Sequence, residues 1–226
     1  MVETNVHVRV NELALRGPPL PEKNLNELRL MTLGDSSVFG FGVEEDAVFG
    51  SVAAAYLSAE WNKTVVSVNG GTPGYTSVQA LHTLQDVGRI VRPDIVVIAT
   101  LWSDLFQTDT PLERAGGQRH PSALYRLSVR VLAPYLPAQT VGWTEGDVGA
   151  EGVGRTARVG LDRYRRTIEE LVQLKRTLGA TPVVLLLPAP IDLDPNPVPL
   201  LIRSYRSVLK DVAKDHDLMV IDGPAI

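Results

Sequence analysis

Leu30-Met31-Thr32-Leu33-Gly34-Asp35-Ser36-Ser37-Val38-Phe39-Gly40 is the stretch whose reading decides the fold. Leu30 to Leu33 is an apolar run of strand length that breaks on Gly34. Asp35 and two hydroxyls follow, and the chain then turns through Gly40 and Gly42 into a helical pattern. In an open parallel sheet, ligands bind beyond the carboxyl ends of the strands. A serine there lies beside the N–H groups that open the next helix, where negative charge is favoured. Taken alone, the stretch reads first as a helix cap, since serine after a strand most often serves as one. The same position also suits a nucleophilic hydroxyl, and the remainder of the chain bears on that choice.

Working outward, Val65 to Val68, Ile95 to Thr100, Val183 to Leu187 and Leu218 to Ile221 are further strand-like runs. Helical patterns separate them. Glu44-Glu45-Asp46 place acid on the first turn of one, with Val48, Val52, Ala55, Tyr56 and Ala59 at helical spacing. Ser77 to Ile90 reads as a second helix. Leu161, Tyr164, Ile168, Leu171, Val172 and Leu178 mark a third, stopped by Gly179. Pro199 opens a fourth with Ile202, Tyr205, Val208, Leu209 and Val212 inward. Ile95 to Thr100 is the most apolar strand and suits a central position buried on both faces. Five strands alternating with helices predict an α/β fold with a doubly wound parallel sheet.

Residues 1–28 read as an extended N-terminal lead-in: Val6, Val8 and Val10 alternate as a short edge strand would, and Pro18, Pro19 and Pro21 force an extended path. Residues 29–226 form the main domain, with an insertion over about 107–160. Ser122 to Leu132 is expected to be helical there. Prolines and glycines break the rest, and a loop of this length in a compact domain is functional or disordered. Its place after the third strand predicts a lid.

The 226 residues suffice for one domain with a sizeable core. A net charge of −4 offers no basic stripe for nucleic acid. The absence of cysteine excludes disulfides, thiolate metal sites and a cysteine nucleophile. No apolar run approaches the ~18 residues of a membrane span, and no signal-peptide core opens the chain. The expectation is a soluble protein, cytoplasmic if this N-terminus is native. No dinucleotide or P-loop glycine motif is present, and no cofactor or metal is expected.

Gly34-Asp35-Ser36 after a first strand resembles the first sequence block of the SGNH (GDSL-type) hydrolases, and the likeness runs in order from about Val8 to the last residue. The resemblance implies a three-layer, flavodoxin-like sheet and an acyl ester substrate, carbohydrate or small molecule. It assigns Ser36 as nucleophile, with its own N–H as an oxyanion donor. Asp35 would organise the loop through backbone hydrogen bonds. Gly71 falls where the second block places a glycine whose N–H approaches the oxyanion; the alternative is plain turn chemistry. The third block, Gly-x-Asn-Asp in the family, is Leu101-Trp102-Ser103-Asp104 here. Asp104 matches, while Ser103 replaces a carboxamide donor with a shorter hydroxyl. Trp102 would flank the pocket or fill the core.

The last block, Asp-x-x-His, is missing: the chain reads Ile221-Asp222-Gly223-Pro224-Ala225-Ile226 and stops. His7, His82 and His216 read as surface residues, and only His120, in the expected lid, could reach the serine. Two readings follow, a naturally degenerate form or a chain trimmed from a longer hydrolase; a sheet ending without its closing helix favours the second, in which the Asp-His pair would come from beyond Ile226. The expected function is a serine ester hydrolase. The alternatives are an O-acyltransferase using the same serine, or an inactive module of this fold that binds a ligand.

Overall fold

Met31, Leu33, Val96, Ile98, Val184 and Leu186 alternate with Leu30, Val97 and Val183 along three strands, and the two sets bury on opposite faces of one sheet. That alternation fixes the layering. The computed structural model describes residues 6–105, 157–194 and 196–225. Its strands are β1 (Glu27–Gly34), β2 (Thr64–Gly71), β3 (Ile95–Ala99), β4 (Thr181–Leu186) and β5 (Met219–Asp222). They lie in the order β2-β1-β3-β4-β5, all parallel. This is the flavodoxin-like order, whose ligand edge is the carboxyl side at the β1/β3 switch point. Gly34 is in register with Gly71 on one side and Ala99 on the other, so three strand ends meet there.

The main core lies between the sheet and three helices: α3 (Ser77–Val91), α5 (Leu161–Leu178) and α6 (Leu200–Asp215). Short α1 (Ser36–Phe39) and α4 (Trp102–Leu105) follow β1 and β3 directly. The other face carries α2 (Phe49–Trp61) over β1 and β2. Here the structure corrects the reading of the sequence. Glu45–Ala47 form a separate 3-10 turn before α2, so the acidic residues do not open the helix. Val52 and Tyr56 point to solvent (53% and 69% exposed), and the buried residues are Gly50 and Ala54. A Cβ at Gly50 would lie 3.1 Å from a Thr32 methyl, so the helix presents its smallest residues to gain close approach.

The lead-in also departs from expectation. Val8 and Val10 are exposed, and Val10 makes only an isolated bridge with Arg16 in place of a strand. Leu15 and Arg16 are buried. Of the expected lid, Ala157 to Gly160 are described, and Val159 packs into the main core. The rest of that segment, with the expected helix Ser122–Leu132 and His120, lies outside the described residues.

At the amino edge, Arg29 is almost wholly buried. It pairs with Glu27 at 2.6 Å and donates to the carbonyls of Val91 and Pro21. At the far edge, Met219 and Ile221 of β5 are exposed on the face shared with Val183 and Leu185. Among the described residues, no helix is long and apolar enough to cross a membrane.

Candidate active site

Asp35 is the first residue past β1 and is 1% exposed. One carboxylate oxygen accepts from the Ser37 N–H at 2.9 Å and caps α1. The other accepts from the Ser103 N–H at 3.0 Å. The carboxylate therefore ties the start of α1 to α4, the short helix after β3.

Ser36 is the first residue of α1 and half-buried. Its carbonyl accepts from the Gly40 N–H at 3.1 Å, where Gly40 closes the helix in the left-handed conformation. No hydrogen bond among the described residues engages its hydroxyl or its N–H. Both groups sit at a helix N-terminus beyond the carboxyl edge of the sheet, where a developing anion is favoured.

Gly71 is adjacent, and for a steric reason. A Cβ there would lie 2.4 Å from the Phe39 nitrogen and 2.7 Å from the Val38 carbonyl carbon. Its N–H is donated to Asn69 Oδ1 at 2.9 Å. Asn69 Nδ2 reaches the carbonyls of Val38 and Phe39 at 3.1 and 3.2 Å. One buried carboxamide thus satisfies the end of β2 and the end of α1 together.

Ser103 and Asp104 are buried in α4, and half-buried Trp102 packs against the main core. Asp104 faces the start of α3: Ser77 donates its hydroxyl at 2.7 Å and its N–H at 3.0 and 3.1 Å to the carboxylate. Burial pushes the Asp104 carboxyl up to about 7, against the pull of the Ser77 hydrogen bonds, and nearby Asp35 adds to the rise. Behind it, the Tyr164 hydroxyl donates to the Thr100 carbonyl at 2.6 Å, and the Tyr205 hydroxyl donates to the Val159 carbonyl. Burial raises both phenols, Tyr205 to about 12.

The sequence brought forward Ser36, Asp35, Gly71, Trp102, Ser103 and Asp104; Gly71 closes β2, and the other five lie on the loop and short helices that follow β1 and β3. It missed Asn69 and Ser77, the groups that join them. A polar residue closing an apolar strand, as Asn69 does, was the available signal. His216 follows α6 at the opposite edge and lines a groove with Leu81, Arg166 and Glu170. His7 is exposed and His82 lies on α3. Among the described residues, no group of three or more histidine, aspartate or glutamate side chains could hold a metal ion.

No protein-family model matches the chain, and no curated protein matches it. Solved structures do. AlinE4, an SGNH-hydrolase family esterase, is 12% identical with a TM-score of 0.50; the match covers 88% of this chain and 77% of that one. The acetyl xylan esterase AlAXEase is 15% identical with a TM-score of 0.54, covering 88% and 78%. A lipase/acylhydrolase from Enterococcus faecalis is 18% identical with a TM-score of 0.51, covering 88% and 77%. The fold of this chain is that of the SGNH hydrolases.

Proposed function

We propose that the protein is a serine ester hydrolase acting on an acyl ester, with Ser36 as the nucleophile. The observation that carries this reading is the position of Ser36. It is the first residue of a helix at the β1/β3 switch point, with hydroxyl and N–H uncommitted among the described residues and its loop tied by Asp35 to the loop after β3. An attacking Ser36 hydroxyl would form the acyl-enzyme ester as the alcohol leaves, and water would then release the acid.

The Ser36 N–H is the first oxyanion donor, and the Ser103 hydroxyl is the candidate for a second. The Gly71 N–H, proposed from sequence as a donor, serves this reading less well because Asn69 Oδ1 already holds it. The remaining need is a base to take the Ser36 proton: the family resemblance puts it in an Asp-x-x-His block that these 226 residues do not carry, and within them His120 is the one histidine left to test. The likeness to esterases of this fold supports the reaction class.

The test combines a fluorophosphonate probe with p-nitrophenyl acetate. A covalent adduct on Ser36, found by peptide mass spectrometry, and turnover that Ser36→Ala removes are the expected results. A wild-type protein that takes up no label and cleaves no ester overturns the reading and favours the ligand-binding module.

A further inference from the structure

Helix α1 is a single turn, Ser36 to Phe39. A helix this short has too few internal hydrogen bonds to hold itself, and its final carbonyls have no partner further along the helix. Something outside it must take them. Asn69 takes two, as described above.

The other partner comes from the lead-in. Arg16 Nη1 donates to the Phe39 carbonyl at 2.7 Å and to the Gly40 carbonyl at 2.6 Å; Nη2 donates to the Val43 carbonyl at 2.6 Å. The guanidinium lies 5.0 Å from the centre of the Phe39 ring. A Cβ on Gly40 would come within 3.1 Å of Arg16 Nη1, so the glycine leaves room for the cation. The backbone of Arg16 is itself fixed, bridged to Val10 on one side and to Asn69 on the other.

Two features set this arginine apart from an ordinary structural one. It is 4% exposed, yet among the described residues no carboxylate lies within ion-pair distance. Its Nε is a buried donor with no partner among the described residues. A buried cation held by three carbonyls and a ring bears a desolvation cost that a merely space-filling residue would avoid. What that cost secures is the geometry of five consecutive residues, Phe39 to Val43, behind the serine.

We propose that Arg16 is the positioning residue for Ser36, and that the lead-in segment around it is part of the active site. The inference rests on Ser36 being the nucleophile. Arg16 acts through the far end of α1: by taking the carbonyls there, it fixes the axis of the helix whose first N–H and first hydroxyl face the substrate. Lysine cannot reproduce this, because one ammonium lacks the planar fork that reaches carbonyls three residues apart.

The experiment compares wild type, Arg16→Ala and Arg16→Lys in p-nitrophenyl acetate turnover, fluorophosphonate labelling and amide hydrogen exchange. The amides of Gly40, Phe41 and Val43 are all hydrogen-bonded within the clamped loop and so report on it. Arg16→Ala is expected to lower kcat by about 10- to 100-fold with KM little changed, the scale of a displaced reacting group. Exchange should quicken at Gly40 to Val43 while β3 amides keep their protection, and millimolar guanidinium should restore part of the rate. Should Arg16→Ala fail to fold, Arg16→Lys takes its place with the same readouts. An active, labelled wild type whose variants keep both its kcat and its loop protection overturns the inference alone. A wild type that neither labels nor turns over overturns the serine reading and this one with it.

Discussion

Gly71 leaves no space for a side chain, because the backbone of α1 lies against it. Gly71→Ala is expected to cost about 3 kcal/mol or to push α1 outward, since the neighbours are main-chain atoms that cannot turn aside. Urea unfolding of the purified variant measures it. The sequence singled out this glycine, but for its N–H; a partner such as Asn69 Oδ1 is invisible to spacing and belongs to three-dimensional packing. Asp104 behaves similarly. Its identity was legible, whereas its engagement with Ser77, 27 residues away, was not. With its folded carboxyl raised to about 7, the native state holds a proton that the unfolded chain releases near its usual 3.8. Stability is therefore full below pH 4 on account of this group, and is lost as pH rises through 7. Urea midpoints taken from pH 4 to 8 should fall for wild type, and Asp104→Asn should flatten that part of the curve.

The single-turn α1 and the loop behind it show how an element depends on groups distant in the chain. Asn69→Ala would strip partners from the Val38 carbonyl and the Gly71 N–H, and would weaken the hold on Phe39. At about 1–3 kcal/mol for each buried group left unpaired, the expected loss is roughly 2–4 kcal/mol, read from thermal or urea unfolding. Ester turnover should fall as well. Helices α3, α5 and α6 were legible because they cover the sheet with large apolar residues at regular spacing. α2 misled for the opposite reason: its sheet-facing residues are Gly50 and Ala54, and its larger side chains Val52 and Tyr56 face outward. Apolar spacing identifies the face of a helix only when that face is the greasier one.

At the scale of the molecule, a parallel sheet followed from the alternation of strands and helices, its flavodoxin-like order from the family resemblance, and the candidate site's position from that order. The clamp from the lead-in did not, since an arginine among polar and proline-rich residues gives no sign of where its guanidinium goes. The sheet is also uneven in its hold. The Arg29–Glu27 pair locks the amino edge, and Glu27→Gln is expected to cost about 3–5 kcal/mol by leaving a buried cation without its counter-charge. β5, paired on one side only among the described residues and with Met219 and Ile221 exposed, should exchange its amides well before β3 does.

The clamp on the end of α1 also has a consequence for synthesis on the ribosome. Arg16, Asp35, Asn69 and Gly71 all precede β3 in the chain, so most of the contacts that hold α1 exist before β3, β4 or β5 has been made. Only the Ser103 N–H, the second partner of Asp35, arrives later. The nascent chain therefore presents the α1 corner early and completes the bracing from the far side, with β3 entering beside β1 as the strand that closes the gap.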